Sequence, residues 1–433
     1  MKIAVAGTGY VGLVTGVCLA EMGHDVTCVD IDEKKVALMD SGKSPIYEAG
    51  LEELMQKVAA AGKIQYTTDA QTAYNDAETV FIAVGTPESE DGTANLEYVY
   101  QTATTIAESV DKDTLVVVKS TVPIGTNEII EQFLKDHVKP GLHIEVASNP
   151  EFLAQGTAVK DTLEASRIVI GVESDWAKEK MYEIFSPFNQ PIVCTNRASA
   201  EMIKYASNIF LALKVSYINE IANFCELIGA DVETVAKGMS YDPRIGDKFL
   251  KAGIGFGGSC FPKDTKALFH LAKNEYDFDF KTIDSIISIN NDQKVRLFYK
   301  AKDDFGNFLG KKVAVLGLTF KAGTDDTRES AAYYNIDLLL EEGAEITVYD
   351  PEGIPAFEKE YGKKLKYATN IDDAINGKDI TFIMTDWAEI KNYPAERFVA
   401  LMSDANIYDG RNCYETKVMK AAGVDYYSIG REK

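Results

Sequence analysis

The sequence predicts an α/β protein in which two doubly wound parallel-sheet domains are joined by a long central helix and a helical core. Three observations predict this class. Short apolar runs alternate with helical patterns at both ends of the 433-residue chain, which is the rhythm of strand–helix–strand units. Between them, Ser199 to Gly229 keeps a helical pattern without proline or internal glycine. The two ends also repeat one another. Lys2-Ile3-Ala4-Val5-Ala6-Gly7 leads through a helix to Val26-Thr27-Cys28-Val29-Asp30, and Lys312-Val313-Ala314-Val315-Leu316-Gly317 leads through a helix to Ile346-Thr347-Val348-Tyr349-Asp350.

In the first domain, Ile3-Ala6, Val26-Val29, Val80-Val84, Leu115-Val118 and Ile144-Ala147 read as buried strands. Continuous apolar runs of this length suit a parallel sheet covered by helices on both faces. The central helix has Ser199 as its expected N-cap and Gly229 as its expected C′ residue. Its apolar residues cover a wide arc, so it is expected to be buried between domains or subunits. After Asn307-Gly310 the strands resume as Val313-Leu316, Ile346-Tyr349, Ile380-Met384 and Ile407-Tyr408. The domain boundaries expected from this pattern are 1–198, 199–305 and 306–433.

Composition narrows the function. A formal net charge of −22 argues against nucleic acid or an anionic membrane as partner, and requires any anionic substrate to meet local Lys and Arg. The six cysteines are scattered without a CxxC pair, and there are only four histidines. That pattern suits a reducing cytoplasm and gives no reason to expect a metal site. Lys2 followed by Ile3-Val5 superficially resembles a targeting peptide, but glycines at 7, 9, 12 and 16 interrupt it and it runs on to Asp30, so it reads as a folded strand–turn–helix. No apolar stretch is long enough to span a bilayer.

Gly7-Thr8-Gly9-Tyr10-Val11-Gly12 lies between a strand and a helix, where a dinucleotide fingerprint has to lie. Gly7 permits the tight turn, Gly9 lets a pyrophosphate approach, and Gly12 allows close helix–strand packing. The helix N-terminus then faces the phosphates. Asp30 ends the second strand, where its carboxylate can accept from both ribose hydroxyls and would repel a 2′-phosphate. The expected cofactor is therefore NAD and not NADP, on a Rossmann-like domain. Gly85-Thr86-Pro87 and Ser120-Thr121 follow strands, and such strand ends line the ligand crevice of an open α/β sheet. Lys35 and Lys263 join this cofactor set. Gly317-Leu318-Thr319-Phe320-Lys321 lacks the glycine spacing, so the second domain is expected to take another nucleotide-like group.

A different chemistry is suggested by Gly255-Phe256-Gly257-Gly258-Ser259-Cys260-Phe261-Pro262-Lys263-Asp264. The glycines allow close approach of a ligand, and a thiol presented this way can be a nucleophile. Lone free cysteines, however, are most often small buried hydrophobes. Lys204 and Asn208 lie four apart and share a helix face that continues as apolar Leu211, Val215, Ile218 and Ala222. Burying them alone is costly. Either each finds a buried partner, or both point into a dry site where an oxyanion develops, and the helix alone leaves these readings level. Asp264 falls one turn beyond Cys260 if a helix begins after Pro262, where it could order a water or pair with Lys204. Asn149-Pro150-Glu151-Phe152-Leu153 follows a strand and places Glu151 on the crevice rim. Arg244, Lys251, Lys321, Arg328 and Arg411 are candidates to clamp a diphosphate.

Together, these runs resemble the UDP-glucose/GDP-mannose dehydrogenase family. The resemblance rests on the glycine fingerprint, Asn149-Leu153, Lys204 with Asn208, Gly257-Asp264, and Phe320-Lys321 followed by Asp326-Thr327-Arg328-Glu329-Ser330, in the family's order along nearly the whole chain. It implies a four-electron oxidation of UDP-glucose to UDP-glucuronate that reduces two NAD. Cys260 would form a thiohemiacetal and then a thioester. Lys204 and Asn208 would stabilise oxyanions, Asp264 would orient Lys204 and water, and Thr121 and Glu151 would position or activate water. Phe152, Leu153, Phe249, Leu250, Lys251, Gly257, Phe261, Phe320, Lys321 and Arg411 would hold the nucleotide sugar, with Arg244 reaching in from a neighbouring subunit of a homodimer. Arg328 would lie near the cofactor. One position departs: Gln155 stands where the family often carries a second glutamate, and an amide cannot act as a base. The same chemistry on GDP-mannose or UDP-N-acetylmannosamine is the alternative, and a silent NAD-binding sensor is a third reading.

Overall fold

The computed structural model describes residues 1–89 and 92–432. Two compact units divide within the long helix, Met1–Ser207 and Asn208–Lys433. The first holds eight strands: β1 (Lys2–Ala6), β2 (Asp25–Val29), β3 (Ile64–Thr67), β4 (Thr79–Ile82), β5 (Thr114–Val118), β6 (Ile144–Ser148), β7 (Ile168–Gly171) and β8 (Ile192–Thr195). Their order is β3-β2-β1-β4-β5-β6-β7-β8. All neighbours are parallel except β6 and β7.

Alternation explains the continuous apolar runs. Ile3, Val5, Phe81, Leu115 and Val117 pack into one core. Ala4, Ala6, Val80, Ile82, Val116 and Val118 pack into another. Both faces of these strands are thus buried over their central residues, which leaves no alternation of polar positions to interrupt the apolar runs. Strands β3, β7 and β8 were not among the sequence expectations. β3 and β8 are only partly buried, so their apolar signal is weak.

The second unit contains β9 (Lys312–Leu316), β10 (Glu345–Tyr349), β11 (Lys366–Tyr367), β12 (Ile380–Ile383), β13 (Asn406–Asp409) and β14 (Asp425–Ser428). These lie in the order β11-β10-β9-β12-β13-β14, all parallel. This repeats the order of the first six strands of the other sheet. The repeat extends to the turn after the first strand. Gly7 (φ +91) donates its N–H to Val29, and Gly317 (φ +94) donates to Tyr349, each at 2.8 Å.

The long helix runs Arg197–Ile228. Its N-cap is Asn196 and not Ser199: the Asn196 side chain accepts from the Ser199 N–H at 2.8 Å. Gly229 (φ +70) closes it, and Ala230 N–H returns to Cys225 O at 3.0 Å, as a Schellman cap requires. Within its own chain the helix is buried along one stripe and exposed along another. Ile218, Ala222 and Cys225 enter the core of the second unit, whereas Phe210, Tyr217, Phe224 and Leu227 are 47–81% exposed. Among the described residues no helix is long and apolar enough to cross a membrane.

Candidate active site

At the carboxyl end of β1, Gly7 and Gly12 build a cradle by excluding side chains. A Cβ on Gly12 would overlap the Gly7 carbonyl oxygen, and one on Gly7 would meet Ala83 O at 2.9 Å. Gly9 has open space around its missing Cβ, and it begins the helix Tyr10–Glu21 without a side-chain cap. The first-turn N–H groups are therefore presented to an anion and not to the protein. Val11 packs on the core, and the Tyr10 hydroxyl donates to Tyr47 O at 2.9 Å.

Asp30 accepts from the Thr8 N–H (3.1 Å), the Thr8 hydroxyl and the Asp32 N–H (3.0 Å), with Lys35 at 3.8 Å. Burial pushes its carboxyl up, but the Thr8 and Asp32 bonds and Lys35 outweigh this and hold it below its ordinary value. It is thus an anion at neutral pH, with part of its surface open. Across the strand ends, Thr86 Oγ1 donates to Thr121 O at 2.9 Å and Ser120 Oγ donates to Val84 O at 2.7 Å. These bonds bring the segments after β4 and β5, including Gly85, together. Pro87 O accepts from Asn95 N–H at 2.8 Å.

Beyond β6 the chain turns through Asn149-Pro150-Glu151. Sequence placed Glu151 on a rim; here it is buried, and both oxygens are engaged. Lys204 Nζ donates to Glu151 Oε1 at 2.6 Å and to its carbonyl at 2.8 Å, while Leu153 N–H donates to Oε2 at 2.9 Å. Lys204 is itself 3% exposed. Of the two readings of this lysine, a buried partner is certain, and it is one of the candidate residues. Phe152 carries the Arg167 guanidinium over its ring at 3.9 Å, a cation–π contact. Just after Gln155, Glu48 accepts from Gly156 N–H (2.7 Å) and Ala158 N–H (2.8 Å).

In the second unit, Cys260 is the N-cap of the helix Phe261–Tyr276. The helix begins two residues earlier than expected, with Pro262 in its first turn. Cys18, Cys28 and Cys225 are buried, Cys194 and Cys413 half-buried, and Cys260 is exposed. Asp264 N–H donates to Cys260 O at 2.8 Å, closing that first turn. The Asp264 carboxylate is buried and accepts from Asn208 Nδ2 (2.7 Å) and Lys263 Nζ (2.8 Å). Phe261 sits against Phe249 and Phe256.

Packing also requires the glycines before Cys260. A Cβ on Gly257 would overlap Glu329 O, and one on Gly258 (φ +81) would meet the Phe320 ring at 2.8 Å. The thiol loop is therefore packed under the Asp326–Ser330 segment, and Gly258 N–H donates to Arg328 O at 2.8 Å. Asn290 holds Phe256 on both sides, at 2.8 and 3.1 Å.

Of the remaining candidates, Phe320, Arg411 and Lys251 come together, with Asp386 attracting both Lys251 and Arg411. Arg411 donates to Phe320 O (2.7 Å) and Met384 O (2.8 Å), and Lys251 pairs with Asp386 at 3.0 Å near buried Leu250. Lys321 lies 5.7 Å from the Phe320 ring centroid. Arg244 is 87% exposed and held by Asp242. Arg328 is 62% exposed and held by Asp326. Sequence reasoning missed Lys119, Arg167 and Asn290, because no local pattern distinguishes them from ordinary surface or strand-end residues.

Family comparison covers the chain in three stretches. Residues 1–189 match the NAD binding domain of the UDP-glucose/GDP-mannose dehydrogenase family, 198–292 its central domain, and 314–416 its UDP binding domain. UDP-glucose 6-dehydrogenase YwqF of Bacillus subtilis is 50% identical over 432 residues, covering 100% of this chain and 98% of that protein. The chain belongs to the UDP-glucose/GDP-mannose dehydrogenase family. UDP-glucose 6-dehydrogenase of Rhizobium meliloti is 44% identical, with 100% of both chains covered. Among solved structures, a UDP-glucose dehydrogenase from Pyrobaculum islandicum superposes with a TM-score of 0.93 at 33% identity, covering 100% of this chain and 98% of that one. UDP-D-ManNAc dehydrogenase from Pyrococcus horikoshii gives 0.89 at 30% identity, covering 100% and 99%. This family member is an NAD-dependent nucleotide-sugar dehydrogenase. The open cradle at Gly9 and the ionised Asp30 fit NAD, and the UDP binding domain fits a UDP-sugar.

Proposed function

We propose that the protein oxidises UDP-glucose to UDP-glucuronate through a thioester on Cys260. The observation that carries this reading is Cys260 itself: an exposed thiol at a helix N-terminus, one turn from a buried carboxylate that binds Asn208. A thiolate there meets the positive end of the helix dipole. NAD, when bound, accepts hydride. Loss of a hydride from C6 and of the proton from its hydroxyl gives the aldehyde, and Cys260 Sγ adds to the carbonyl carbon while the oxygen takes up a proton, giving a thiohemiacetal. Loss of a second hydride from C6 and of the hydroxyl proton leaves a thioester, and water cleaves the C–S bond to release carboxylate and thiol. Lys204 and Asn208 stabilise the oxyanions of the addition and hydrolysis steps. Thr121 and Glu151 position water, and Asp264 orients Asn208 and Lys263. Gln155 contributes no base.

In this reading Lys35, Gly85, Thr86, Pro87, Ser120, Lys263 and Arg328 serve the cofactor. Phe152, Leu153, Phe249, Leu250, Lys251, Gly257, Phe261, Phe320, Lys321, Arg244 and Arg411 serve the nucleotide sugar. The proposed division into 1–198, 199–305 and 306–433 is supported by family segments at 1–189, 198–292 and 314–416. A cytoplasmic site agrees with six free cysteines. A homodimer built on the long helix would cover Phe210, Tyr217, Phe224 and Leu227.

Stoichiometry tests the proposal. UDP-glucose should yield two NADH per acid formed, and Cys260→Ala should form no acid yet still bind NAD. One NADH with an aldehyde product, or full activity of Cys260→Ala, would overturn the thioester route. Faster turnover of GDP-mannose or UDP-N-acetylmannosamine in the same assay would reassign the substrate. Absence of turnover with all three would favour the sensor reading.

A further inference from the structure

Lys119 follows β5 directly, and its N–H joins Ile82 O at 2.9 Å. Its side chain turns into the protein and is 9% exposed. Among the described residues its ammonium donates one hydrogen bond, to Asn149 Oδ1 at 2.8 Å, and it lies 5.9 Å from the Phe185 ring centroid. An ammonium has three donors. A buried one with a single neutral acceptor is expensive, and a strut between strand ends needs no charge. Asn149 already spans to β7 by donating to Val169 O at 2.8 Å.

The charges around it explain its presence better. Glu151, two residues beyond Asn149, attracts Lys119, while Lys204 on the long helix repels it and Cys18 on the helix Tyr10–Glu21 makes a smaller contribution. Asp161 and Arg167 line the same cavity of about 50 Å³, together with Lys119, Glu151 and Phe152. That volume suits one or two waters at roughly 30 Å³ each. Glu151 thus pairs with Lys204 and shares a cavity wall with Lys119, all three side chains 9% exposed or less. With both lysines charged, the trio carries one excess positive charge, which favours a negative charge presented to Lys204. With Lys119 neutral, the trio is neutral and that attraction is weakened.

We propose that Lys119 is a positioning residue acting through the Glu151–Lys204 pair, and that its loss of a proton sets the alkaline limit of turnover. The inference rests on the reading that Lys204 stabilises an oxyanion. Burial moves the Lys119 ammonium down to about 8, with Lys204 adding to the effect and Glu151 opposing it. The limit therefore falls within the range where the enzyme can be assayed.

The test is the pH profile of kcat, read as NADH release between pH 6 and 10 with NAD and UDP-glucose saturating. The wild type should lose about tenfold across the interval centred near pH 8. Lys119→Arg keeps a charge that does not titrate there, so its profile should stay level through pH 9. Lys119→Met, neutral throughout, should already run about tenfold low at pH 7 and show no fall near pH 8. Where Met lowers the melting temperature, Lys119→Gln, which keeps a donor for Asn149, serves in its place. An alkaline fall in Lys119→Arg matching the wild type, or a neutral variant with wild-type activity at pH 7, would reduce Lys119 to a strut. Lys204→Ala tests the underlying reading separately: undiminished kcat there would remove the oxyanion role whatever the Lys119 profiles show.

Discussion

Single residues decide whether the thiol loop can exist. Gly257 lies so close to Glu329 O that a methyl group would have to displace backbone, and Glu329 is itself held in the left-handed region (φ +55). Its carboxylate is gripped by Lys294 at 2.5 Å and the Tyr334 hydroxyl at 2.7 Å. Neither side of the contact can yield cheaply. Gly257→Ala should therefore lower kcat at least 100-fold, whereas Gly9→Ala, with open space at its Cβ, should act on NAD affinity and leave the thiol loop intact. Thermal shift with NAD and single-turnover NADH release separate the two effects. Cys260, Asp264, Lys204 and Asn208 could be singled out as candidates because each stands out against its local pattern. Lys119 and Asn290 were not, because each takes its meaning from a partner 30 or 34 residues away.

At the scale of elements, strands with two buried faces announce themselves by unbroken apolar runs, so β1, β2, β4, β5 and β6 could be read from sequence. Edge strands such as β11, only two residues long, leave too little signal. The long helix shows the opposite ambiguity. Apolar residues surround it, and sequence cannot say which face meets the core of its own unit. The structure separates a buried stripe at Ile218, Ala222 and Cys225 from an exposed one at Phe210, Tyr217 and Phe224, which are seven residues apart and 60%, 47% and 57% exposed. A stripe at that spacing fits the seam of a helix pair, and the homodimer proposed above would cover it. The double substitution Phe210→Glu with Phe224→Glu should convert a dimer to a monomer in light scattering without lowering helix content. A wild-type monomer at working concentration would refute the assignment of this face to a second copy.

Across the whole molecule, the same strand order is used twice and the same acid ends the second strand of each copy, yet the copies have diverged at that acid. Asp30 keeps an open edge. Asp350 is 1% exposed and accepts five N–H groups, from Leu318, Thr319, Glu352, Gly353 and the Trp387 indole, at 2.6–3.2 Å. With its oxygens engaged in this way, Asp350 has no capacity left for a ribose. The duplication was readable from the two matching strand pairs; the closure of the second acid was not, because Trp387 comes from another part of the chain. The two acids should therefore fail differently. Asp30→Ala should abolish stabilisation by NAD while stabilisation by UDP persists, since the nucleotide-binding role of the second sheet does not pass through this carboxylate. Asp350→Ala strands several buried donors, each worth about 1–3 kcal/mol when unsatisfied. It should lower the melting temperature steeply, and protein that remains folded should still respond to NAD. Were Asp350→Ala to melt like wild type and lose only its response to UDP, the carboxylate would be a ligand group and not a structural one.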